Sequence, residues 1–256
     1  MPCNSRLLLA SAALAVSLAT VTGCGSSNSS KSNNSAPGFK TTVVIGDSLS
    51  AGFQNGSLLD AQQTNGWASL IAKQTGFQLP LPLIAPPGAP AVLQLVSIGP
   101  PPVTKQASGT SPGRDNATQQ PYDLAVPGHN LVDVVNRVPV QIPTSDEDII
   151  IDAVLALPLG GNKGQMNAAI HLKPTAVFVW AGNNDALAAD VAGMPAVMTP
   201  PSAFSEEFQQ LITTLHTQTK ATLIVANVPD VMQVPYLTPA AVILAEVSAA
   251  SGLPRA

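Results

Sequence analysis

The sequence predicts a doubly wound α/β domain, built on a mostly parallel five-stranded sheet flanked by helices. Residues 175–180 (TAVFVW) and 221–228 (ATLIVANV) are continuous β-branched runs, the pattern of strands covered on both faces. Between them Phe204, Phe208, Leu211, Ile212 and Leu215 recur at helical spacing, which marks an amphipathic helix starting near Ser202. The chain has 256 residues, 45% of them hydrophobic and 10% charged, enough to bury one sizeable core. A net charge of -4 offers phosphate backbones no positive field, so nucleic acid is excluded as a partner.

The first elements along the chain read as targeting. Arg6 precedes an apolar run from residue 7 to 21, too short and too rich in Ala and Ser to suit a bilayer span. The run ends in Val21-Thr22-Gly23-Cys24, which resembles a bacterial lipobox. That resemblance implies a lipoprotein signal peptide over 1–23, lipidation of Cys24, export, and membrane anchoring in the cell envelope. Two or three acyl chains hold firmly where one binds only marginally. An ordinary secretory signal is the alternative. Residues 24–39, rich in Ser, Asn and Gly, read as a tether reaching roughly 20 Å. Cys3 and Cys24 are the only cysteines, so the folded part holds neither a disulfide nor a cysteine-based metal site.

The folded domain then spans 40–256. Residues 41–45 are a short β-branched run and form the first strand. Residues 65–76 (NGWASLIAKQTG) place Trp67, Leu70 and Ile71 at helical spacing before a glycine stop. Residues 79–113 are dense in proline and read as a loop insertion that shapes the pocket rim, with a strand at 92–98. Residues 123–126 form another brief apolar strand. Asn130 is placed to cap a helix running to Val138, and Thr144 or Ser145 a second one. Asp146, Glu147 and Asp148 fall in that second helix's first turn, where the dipole favours anions, and read as end electrostatics instead of metal ligands. After the last strand, residues 238–251 read as a helix with Gly252 as its cap.

Three of these strands end in small polar turns: Gly46-Asp47-Ser48-Leu49-Ser50, Pro127-Gly128-His129-Asn130 and Ala181-Gly182-Asn183-Asn184-Asp185. In a parallel sheet their carboxyl ends share one crevice. The turns bring a hydroxyl, a glycine N–H and a side-chain amide. Acyl transfer needs that set, an attacking oxygen plus donors for a developing oxyanion.

GDSLS after a strand, LAVPG with its glycine, and GNND after a buried strand resemble the first three blocks of the SGNH, or GDSL, hydrolases. The resemblance covers about residues 40–235 and points to esterase- or lipase-like members with a flavodoxin-like fold. It implies Ser48 as nucleophile, with oxyanion donors in its own N–H, the Gly128 N–H and the Asn184 amide. Asp47 would stabilise the turn. The implied substrate is a small-molecule or lipid ester, and no metal or organic cofactor is implied.

The family's fourth block, D-x-x-H, supplies the general base. Of the histidines here, His129, His171 and His216, none has an aspartate three residues before it. His129 adjoins the oxyanion glycine and reads as an incidental loop residue. His171 and His216 fall far from the strand carboxyl ends. The expectation is therefore a chain truncated before D-x-x-H, with activity impaired or lost, and the reading frame past codon 256 should contain that block. Two alternatives stand beside the ester hydrolase. One is a non-catalytic lipid-anchored envelope protein keeping the same fold. The other is a nucleotide-binding domain, disfavoured because both G-x-G-x-x-G and G-K-[ST] are missing.

Overall fold

Strand β1 (Thr42–Gly46) grows from the first β-branched run and is buried at every position. The computed structural model describes residues 37–99, 102–156, 158 and 163–230. The expected signal segment, Cys24, most of the expected tether and the expected helix at 238–251 lie outside these residues. β1 is the first of three parallel strands, in the order β1-β4-β5, with β4 at Ala176–Trp180 and β5 at Thr222–Val225. Register pairs Val43 with Val177 and Ile45 with Val179 across β1 and β4. Residues 123–126 run beside the other edge of β1. There Val44 N–H donates to the Tyr122 carbonyl at 2.8 Å, Leu124 N–H to the Val44 carbonyl at 2.9 Å, and Val126 N–H to the Gly46 carbonyl at 3.1 Å.

Side-chain alternation divides the sheet into two faces. Val43, Ile45, Val177 and Val179 enter the main core with Leu131, Val134, Val154, Leu211 and Leu215. Helices α4 (Leu131–Asn136), α6 (Gln165–His171) and α8 (Pro201–Gln218) cover that side. On the opposite face Phe178 and Trp180 meet Trp67 of α3 (Trp67–Thr75), with ring centroids 5.8 and 5.7 Å apart. Phe39 and Phe77 stack on the same cluster. Helices on both faces of a parallel sheet make the doubly wound α/β class that the sequence predicts.

Details differ from the sequence-based expectations, each for a physical reason. Among the described residues the sheet has three regular strands, not five. The segment expected as a strand at 92–98 leaves it and pairs antiparallel with its neighbour: β2 (Leu93–Ser97) and β3 (Val103–Gln106) form an exposed hairpin. Residues 123–126 are bridged to β1 but flanked by Pro121 and Pro127, which have no N–H to extend a ladder. β5 is not buried on both faces: Thr222 and Val225 are exposed at the edge of the described sheet.

In α3 the buried side is Ala68, Ser69 and Ala72, while Leu70 points to solvent. Small side chains let that helix approach closely, and the Trp67 ring supplies the apolar contact. Gly76 ends α3 as expected, with φ of 82°. α4 stops at Asn136, short of Val138, because Pro139 bars its predecessor from helical backbone. Ser145, not Thr144, caps α5 (Asp146–Ile151), which continues as a π turn through Ala156. No helix among the described residues is long and apolar enough to cross a membrane.

Candidate active site

The three polar turns occupy the carboxyl end of the sheet. Gly46 closes β1 with φ of 153°, and a Cβ there would overlap the Trp180 carbonyl oxygen. Only glycine fits. Asp47 follows as the N-cap of α1 (Ser48–Ala51), its carboxylate accepting from the Leu49 N–H at 3.0 Å and from Asn183 Nδ2 at 2.5 Å. Burial pushes the Asp47 carboxyl above its ordinary value, against the lowering effect of these bonds. Asp47 thus ties the first turn to the third and is sealed from solvent, as expected of a turn stabiliser.

Ser48 is half-buried, and its Oγ has no hydrogen-bond partner among the described residues. Its N–H, ahead of the first helical acceptor, is equally unbonded, and so is the Gly128 N–H. Gly128 has φ of 85° and nothing near the place a Cβ would take, so the backbone shape, not crowding, selects glycine. Gly182 is selected by both, with φ of 106° and a Cβ position 2.8 Å from the Phe204 ring. It opens α7 (Asn183–Ala192), whose Asn184 donates through Nδ2 to the His129 carbonyl at 2.7 Å. One hydrogen of that amide is used and one is left over.

Ser48, Gly128 and Asn184 line one cleft of about 470 Å³, together with Phe53, Pro90, Pro127, Glu147 and Ile150. Pro90 comes from the proline-rich insertion, which therefore does contribute to the rim. A second cavity of about 240 Å³ shares Pro90 and the α5 wall, which turns Glu147 and Ile150 to the first and Asp146 and Ile149 to the second. No Lys or Arg is among the described residues lining either cavity. Of the acidic trio, Asp148 accepts from the Thr144 N–H at 3.2 Å, the main cause holding its carboxyl below the ordinary value, with Ser145, the Thr144 hydroxyl at 3.2 Å and Arg137 at 2.9 Å adding to it.

The histidines behave differently from one another. His171 ends α6 ahead of the amino end of β4, and His216 is exposed on α8, both away from the cleft. His129 is not an incidental loop residue. It is fully buried, its Nδ1 lies 3.0 Å from Gln165 Nε2, and burial pushes its pKa down to about 4. The Gln165 orientation is fixed by Gly46, whose N–H must donate to Oε1 (2.8 Å) and whose carbonyl must accept from Nε2 (2.9 Å). Nδ1 therefore accepts, and the ring proton sits on Nε2. A ring so held has no free lone pair to take the Ser48 proton. Asp185 adds a further tie, its Oδ2 accepting from the Leu131 N–H at 2.8 Å at the start of α4.

The sequence reading missed Gln165, Asn183 and Asp185, along with Phe53, Glu147 and Ile150 in the cleft wall. Asn183 and Asp185 flank Asn184 in the GNND turn, so their neighbourhood was a signal. Gln165 stands alone on its helix and offered none.

The fold and site define an α/β protein with a cleft at the carboxyl end of a parallel strand, where a serine hydroxyl meets unbonded main-chain N–H groups and a carboxamide. The chain belongs to the GDSL-like lipase/acylhydrolase family, whose model matches residues 42–250. That is a family of ester hydrolases. No curated protein and no solved structure matches the chain.

Proposed function

We propose that this chain is a serine ester hydrolase acting through an acyl-serine on uncharged esters. Ser48 Oγ attacks the ester carbonyl, the alcohol leaves, and water then releases the acid. The N–H groups of Ser48 and Gly128 and the spare Asn184 amide hydrogen receive the oxyanion. Loss of one such donor typically costs about 10²–10³ in rate. The observation that carries this reading is the shared cleft: hydroxyl, glycine and carboxamide line it together, and two N–H groups there lack acceptors. Apolar walls from Phe53, Pro127 and Ile150, with Glu147 as the charged group, favour a neutral substrate over an anionic one.

A fluorophosphonate probe tests the assignment. It should label the protein at Ser48, and Ser48→Ala should abolish labelling. Persistent labelling of the alanine variant removes Ser48 from the role. With His129 held as an acceptor through Nδ1, a base beyond the three histidines is required for fast turnover, so slow acylation is expected of this chain.

The same absence of an available histidine favours a second reading, a lipid-anchored binding protein that keeps the fold without turnover. Purified protein that binds alkyl esters yet is never phosphonylated fits that reading alone. Export and membrane attachment through Cys24 belong to both, supported by the Val21-Thr22-Gly23-Cys24 sequence. Labelled fatty acid should enter the protein in a bacterial host and be lost in Cys24→Ser.

A further inference from the structure

We infer that Gln165 is a positioning residue, holding the Gly128 amide in register with the Ser48 turn; the inference rests on the ester-hydrolase reading above. Gln165 opens α6, is fully buried, and lies 119 residues from Gly46 and 36 from His129. Its amide makes three hydrogen bonds. Oε1 accepts from the Gly46 N–H at 2.8 Å, and Nε2 donates to the Gly46 carbonyl at 2.9 Å and to His129 Nδ1 at 3.0 Å. Both amide hydrogens are thereby used. The His129 carbonyl in turn accepts from Asn184 at 2.7 Å. One polar path, Gly46–Gln165–His129–Asn184, crosses all three turns of the cleft.

The first turn is also tied to the third through Asp47 and Asn183, and the second to the third through the His129 carbonyl and Asn184, but neither bond acts on the Gly128 N–H itself. Gly46 has no side chain with which to fix the start of the Ser48 turn. Gly128 has open space where its side chain would be, so packing does not orient its N–H. The next residue, His129, is held through its main chain by the Val126 carbonyl and Asn184, and Gln165 is what holds its buried ring. Rotating or removing the Gln165 amide releases the ring of His129, the residue that closes this turn through its N–H to the Val126 carbonyl at 3.3 Å. The turn's middle Pro127–Gly128 peptide, which carries the Gly128 N–H, is then free to rotate while Ser48, Gly128 and Asn184 stay chemically intact. A displacement of such a donor by about 1 Å suffices to cost on the order of 10²-fold in rate.

The test uses the chain as it exists, with two readouts. The first is the nitrogen-15 spectrum of the His129 ring and of the Gly128 amide in unliganded protein. Wild type should show a neutral ring protonated at Nε2 at pH 6, and Gln165→Leu should lose that tautomer and shift the Gly128 amide. An Nδ1–H ring or an imidazolium in wild type overturns the inference without any variant, so a variant that fails to fold does not protect it. The second is phosphonylation by a fluorophosphonate: Gln165→Leu should lower the limiting rate about 10²-fold per folded molecule, with the half-saturating probe concentration unchanged. A folded Gln165→Leu protein labelled at the wild-type limiting rate overturns the inference, because a merely structural glutamine predicts that result. If wild type is not labelled at all, the hydrolase reading fails, and an unmoved Gly128 amide in Gln165→Leu then overturns the positioning role separately.

Discussion

At the scale of single residues, buried titratable groups give this protein its sharpest pH signature. Asp123 is almost fully buried, its Oδ1 accepting only from the Ala125 N–H at 3.1 Å, and burial pushes its pKa up to about 8. In the unfolded chain the carboxyl ionises near its ordinary value of about 3.9. Between those values the folded state holds a proton that the unfolded state has lost. Stability from this group is thus complete below pH 4 and is lost as pH rises towards 8. Asp123→Asn keeps the shape and never ionises. The stability gap between the variant and wild type should widen from pH 5 to pH 8 in urea unfolding, and an equal gap at both pH values excludes the mechanism. His129 has the opposite sign: held neutral down to about 4, it costs stability as pH falls below about 6.5. Comparing the Asn variant with wild type cancels that contribution.

The residue scale also separates what could be read in advance from what could not. That Ser48, Gly128 and Asn184 line one cleft was legible because each belongs to a short turn following an apolar strand, a local pattern. Gln165 and the buried state of His129 were not. Their roles exist only through partners 36 and 119 residues away, and no spacing rule carries that information.

Among the elements, α4 shows how local chemistry positions the site. Asn130 accepts from the Asp133 N–H at 3.2 Å while Asp133 accepts from the Asn130 N–H at 3.2 Å, a reciprocal capping box two residues after Gly128. Asp185 takes the next free N–H, that of Leu131. Asn130→Ala should lower stability by about 1 kcal/mol, read by chemical denaturation, and Asn130→Asp should recover most of it. No loss in the alanine variant would mean that tertiary contacts alone hold the helix start. The cap was visible in the sequence. The buried face of α3 was not, because helical spacing picked out Leu70, while close packing selected Ala68 and Ala72 and left Leu70 49% exposed. Size decided there, not hydrophobicity.

For the molecule as a whole, the β2–β3 hairpin stands apart from the core. All its strand residues are exposed, and Leu95 and Val96 face solvent. The Ala107 N–H already donates to the Val92 carbonyl at 2.9 Å, so residues 93–106 can be replaced by a Gly-Gly turn between them. The described strand residues lost are exposed, and the tie to the body that goes with them is the Leu93 N–H bond to the Asn55 carbonyl at 3.0 Å, so stability should fall by about 1 kcal/mol. Gln106, however, lines the cavity next to the Ser48 cleft. The shortened protein should therefore change its ratio of labelling by short-alkyl and long-alkyl fluorophosphonates. An unchanged ratio would separate that cavity from substrate selection.

What the sequence determined by itself was the doubly wound class, the order of its main helices and strands, and the three turns that carry polar groups. Periodicity, caps and turn glycines are local, and so survive without coordinates. Tertiary structure alone decided which apolar run joined the sheet, which face of α3 was buried, and that a lone glutamine binds the GDS turn to His129. Those outcomes depend on the close fit of segments far apart in the chain, where volume and hydrogen-bond partners, not residue type, set the result.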